Sequence, residues 1–115
     1  MGYIRHNAII ATAWQAEAVT ALTEYARGLG AEALVGAEVT NGYVTVCITP
    51  DGSKVGWEAS SEGDERRAKI KQWMCDHAEQ LYFEWCEVAY GSDDAKAEIT
   101  DSDWVMPNAK FNGGL

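Results

Sequence analysis

The sequence predicts an α+β domain: a ferredoxin-like βαββαβ sheet with two helices on one face and an extra C-terminal edge strand. Three observations carry that expectation. Hydrophobic periodicity switches between strand and helix spacing in the order strand, helix, strand, strand, helix, strand. Asn41-Gly42 separates the second and third strand-like runs, and this pair favours a tight hairpin because both central residues of a type I′ turn need positive φ. Each of two helices of similar length then returns the chain to one sheet, and right-handed crossovers put both on the same side. The other side is left open to solvent, a ligand or a second subunit.

Taken in order, residues 3–13 alternate and then run apolar through Ala8, Ile9, Ile10 and Ala11, which suits a central strand. A period of two places His6, Ala8 and Ile10 on one side, and Arg5, Asn7 and Ile9 on the other. Residues 15–29 form a helix with Ala18, Val19, Leu22, Tyr25, Ala26 and Leu29 on one stripe, and Gly28 and Gly30 supply a left-handed stop. Residues 34–40 and 43–49 are the hairpin strands, with Val44, Val46 and Ile48 facing the core. Pro50-Asp51-Gly52-Ser53 is a turn by composition.

A second helix is expected from about Asp64, after Ser61 and Asp64 at capping spacing. Its stripe is Ile70, Trp73, Met74, His77, Ala78 and Leu81, and Arg66, Arg67, Lys69 and Lys71 form a basic patch in its first half. Residues 82–90 alternate as a strand, with Glu84, Cys86 and Val88 on one side and Phe83, Trp85 and Glu87 on the other. Residues 96–100 make a short last strand. The domain so drawn covers 1–104, and 105–115 read as a flexible tail.

The chain has 115 residues, enough for one core, and a formal net charge of −9. Such a field repels phosphate backbones and argues against direct nucleic-acid binding. No apolar run approaches the roughly 18 residues of a membrane span, and no secretory signal is visible. Cys47, Cys75 and Cys86 are odd in number and widely spaced, neither a disulfide framework nor a zinc pattern, which fits reduced thiols in a cytoplasm. No metal or cofactor is expected.

Two places could carry chemistry. Arg5 could hold an anion and His6 could act as acid, base or ligand, although neighbours on a strand face opposite ways. An ordinary structural account, a hydrogen-bonded His and an Arg paired with a carboxylate, competes with this. The start of the second helix could bind an anion through Ser61, with charge from Lys54 and Arg67 and a stacking ring from Trp57. Its ordinary account is a capped helix start whose dipole is already met by Glu62, Asp64 and Glu65. Trp14, Trp57, Trp73, Trp85 and Trp104 are too many for one small core, so one or two are expected at a binding or subunit surface.

The strings Met1-Gly2-Tyr3-Ile4-Arg5-His6-Asn7-Ala8-Ile9, Pro50-Asp51-Gly52-Ser53-Lys54-Val55-Gly56-Trp57-Glu58, Gly63-Asp64-Glu65-Arg66-Arg67 and Trp85-Cys86-Glu87-Val88-Ala89-Tyr90-Gly91 resemble a group of small accessory proteins of tailed bacteriophages. The resemblance implies a source in an infected host's cytoplasm, and no mechanism. Small proteins of that context often counter host defence. The expected function is a non-enzymatic, homo-oligomeric binding protein that sequesters a small anionic, nucleotide-like ligand through Arg5, His6, Lys54, Trp57, Ser61 and Arg67. The alternative is an inhibitor of a host protein that mimics nucleic acid with its acidic edge, where residues 84–103 carry seven acids and one Lys. A small hydrolase with His6 as general base is a third reading, weakened by the lack of a nucleophile or metal set.

Overall fold

The computed structural model describes residues 5–50, 58–91 and 96–103, with the backbone alone at 40 and 58–60. Its elements are β1 (His6–Ala13), α1 (Ala16–Gly28), β2 (Ala33–Val35), β3 (Val44–Ile48), α2 (Glu58–Asp76), β4 (Glu84–Tyr90) and β5 (Glu98–Ser102). The result is a mixed α/β fold with one five-stranded antiparallel sheet in the order β2-β3-β1-β4-β5. The apolar run of β1 takes the middle of the five strands, Ile9 lying opposite Ile48 on one side and Glu87 on the other.

Alternation sorts the sheet into two faces. Ile9, Ala11 and Ala13 of β1, Val44, Val46 and Ile48 of β3 and Trp85 of β4 join Val19, Leu22 and Ala26 of α1 and Ile70 and Met74 of α2 in one core cluster. Both helices therefore cover the same face. The stripe read for α1 is the buried one, and Gly30 stops that helix at φ +91° while the Ala31 N–H donates back to the Ala26 carbonyl (3.0 Å).

The hairpin needs a correction. Asn41 and Gly42 do take positive φ, +67° and +79°. The outer strand, however, ends at Val35 rather than reaching residue 40, and a single helical turn occupies Thr40–Gly42. One further backbone bond, from the Gly36 N–H to the Thr45 carbonyl (2.8 Å), follows the end of the strand.

A second correction concerns α2, which begins at Glu58 and not near Asp64. The Ser60-Ser61-Glu62-Gly63 segment is helical, so Gly63 sits inside the helix, buried against its neighbours. The tail at 105–115 lies outside the described residues. Among the described residues no helix is long and apolar enough to cross a membrane.

Candidate functional site

Arg67, Ile70 and Met74 fall at helical three- and four-residue spacing, so the sheet-facing stripe of α2 contains a charge. Arg67 is only 7% exposed. Its Nε donates to Glu87 Oε2 at 3.0 Å, and its guanidinium also pairs with Asp64. Glu87 is buried too, one of the few polar residues on the inner face. Its other oxygen accepts from Lys71 Nζ (2.9 Å) and from the Thr100 hydroxyl (3.0 Å), and Lys71 also reaches Asp101 Oδ2 (3.0 Å). This network bolts the middle of α2 to β4 and β5.

Half of the basic patch is thereby committed inside the protein. Arg67, expected in an exposed basic patch and at an anion site, is instead turned inward, since its guanidinium holds a buried carboxylate. Burial alone would lower the Lys71 pKa, but hydrogen bonds and charge from Glu87 and Asp101 outweigh it, and the net shift is upward. A folded pKa above the unfolded one means stabilisation that is complete below the unfolded value and lost as pH climbs through the folded value. Urea midpoints of wild type and Lys71→Met should thus differ by a constant amount at neutral pH and converge in strongly alkaline buffer.

The other expected site residues are scattered. Arg5 donates to the carbonyls of Gly91 and Lys96, each at 2.7 Å, and pairs with Glu98 at 3.4 Å, which ties the start of β1 to the outer edge. His6 lies on the opposite face, away from the helices, with its ring 5.2 Å from that of Tyr90. Ser61 is exposed on the first turns of α2. Lys54 and Trp57 lie outside the described residues. Arg5, His6 and Arg67 therefore do not converge on one pocket.

A cleft of about 200 Å³ does lie beside part of the expected site. Its walls are residues 30–32 after α1, residues 48–50 at the end of β3, and Gly63, Arg66, Arg67 and Ile70 of α2. The Thr49 N–H donates to the Glu32 carbonyl at 3.0 Å and clamps two of those walls together. Arg66, half-buried at the cleft, has no ion pair among the described residues. The sequence places Arg66 in the basic patch but carries no sign that it lines a cleft, because the cleft's other walls come from distant segments.

The cysteines sit apart from the cleft. Cys47 and Cys86 are the register partners of Ile10 on either side, roughly 10 Å from each other at the usual strand spacing and too far for a disulfide. Burial pushes the Cys47 thiol pKa up, which makes it a poor nucleophile. No family model, no curated protein and no solved structure matches the chain.

Proposed function

We infer that the chain is a non-enzymatic binding protein whose cleft takes the anionic end of a small ligand. The observation that carries this reading is Arg66, a half-buried arginine lining a recess, with no ion pair among the described residues of a chain of net charge −9. A guanidinium offers a fork of donors that matches carboxylate and phosphate oxygens. The cleft is smaller than the roughly 300–1,000 Å³ of a typical small-molecule pocket. It suits a phosphate or carboxylate head, with the rest of a nucleotide-like ligand lying outside it.

The ferredoxin-like class belongs to the same proposal. The split β-α-β-β-α-β order, a central β1 and two helices on one face support it; the fifth strand departs from the four-stranded pattern. Phage origin and a counter-defence role rest on the sequence resemblance. The acidic inhibitor has less support: Glu87, Glu98 and Asp101 in that edge are engaged by Arg67, Arg5 and Lys71.

The test is calorimetric titration of nucleoside monophosphates and inorganic phosphate into wild type and Arg66→Ala. A charge-assisted hydrogen bond is worth about 1.5–3 kcal/mol, so Arg66→Ala should weaken binding roughly 10- to 150-fold. Its melting temperature should stay near that of the wild type, since no ion pair among the described residues is lost. Equal affinity in two folded proteins sinks the cleft as the site.

A further inference from the structure

The face of the sheet opposite the helices poses a separate question from the cleft. Ile10 lies at its centre, with Cys47 and Leu34 beyond it on one side and Cys86 and Ser102 on the other. Among the described strand residues of this face the charged side chain is Glu84, with His6 at the far end. That is unusual on a chain with nine basic and eighteen acidic residues. Leu34 and Ile99 stand 57% and 69% exposed near the two edges. Ile10 itself is 40% exposed, while Ala8 beside it offers only a methyl group and is 5% exposed. The Thr12 and Thr45 hydroxyls share one hydrogen bond across the strands at 2.8 Å.

We propose that this face is a homodimer interface, closed by a second copy of the same chain. Charge selects the occupant. A basic partner gains nothing from a face without acids at its centre, whereas two copies can meet there without desolvating a charge, which is how interface cores are composed. Area agrees. At about 4.8 Å between strands and about 3.3 Å per residue, a five-stranded face of this length spans on the order of 500 Å². Two copies cover on the order of 1,000 Å², the floor for a specific biological interface and the lower end of what a dimer needs.

Light scattering on the full chain after size exclusion, over a wide concentration range, tests this. Wild type should run at twice the 12.6 kDa of one chain. Ile99→Lys, at an exposed edge position, should run as a folded monomer by circular dichroism. Thr20→Lys, on the exposed surface of α1, should remain a dimer. Should Ile99→Lys fail to fold, Leu34→Lys on the opposite edge takes its place. A wild type that is monomeric at every concentration overturns the proposal, and so does a dimer that both face substitutions leave intact.

Discussion

Glu87→Ala should lower the stability of the protein by about 3 kcal/mol, the lower end of the cost of breaking a buried ion pair. The lower end applies because Arg67 keeps Asp64 and Lys71 keeps Asp101 when the carboxylate is gone. For a domain of this size that is a fall in melting temperature on the order of 10–20 °C. Glu87→Gln should lose less, since the amide oxygen can still accept one of the two cationic donors. Thermal melts followed by circular dichroism give the comparison. A change below about 2 °C for Glu87→Ala, small against the ΔΔG-to-Tm scaling, would mean that the network adds nothing to the fold.

Ile70→Ala is the second large effect. Ile70 has no exposed surface and belongs to the core cluster, yet it also lines the cleft. Truncating a buried Ile to Ala costs about 2–5 kcal/mol, and the spread depends on how far the site can collapse. Here the new hole joins an existing recess, so water can enter and the expected loss is about 3 kcal/mol. Urea denaturation with an unchanged slope would report it cleanly. A loss under about 1 kcal/mol would say that α2 packs less closely on β3 than the core cluster implies.

The sequence was most legible where one physical rule acted alone. Val44, Val46 and Ile48 alternate cleanly and are buried as read. Asn41 and Gly42 adopt the positive φ that their pairing demands, because few other residues tolerate it. Reading failed where two rules competed. Ser60-Ser61-Glu62-Gly63 has the composition of a loop and cap, but the helix starts earlier, at Glu58, and runs through it. Tertiary packing of Gly63, Arg67, Ile70 and Met74 overrides the local preference.

Arg67 is the more instructive case. It falls in the basic patch, yet it stands three residues before Ile70 and seven before Met74, the spacing of a shared helical stripe. Glu87 shares its side of the strand with Phe83 and Trp85 by a period of two, and a buried carboxylate requires a cation. Those two positions taken together point to the ion pair at 3.0 Å. The cleft had no comparable signal, because it is assembled from the α1–β2 turn, the end of β3 and one face of α2, which only the fold brings together.

The reading of the chain as an anion-binding protein is tested most directly by a map of backbone amide shifts during titration of the full chain, first with phosphate and then with a nucleoside monophosphate. The account predicts saturable shifts at Gly30, Ala31, Glu32, Thr49 and Gly63, the residues around the cleft, and their loss in Arg66→Ala. Shifts centred on Ile10 and Ile99 of the open sheet face, or no saturable shift with either ligand, would contradict it.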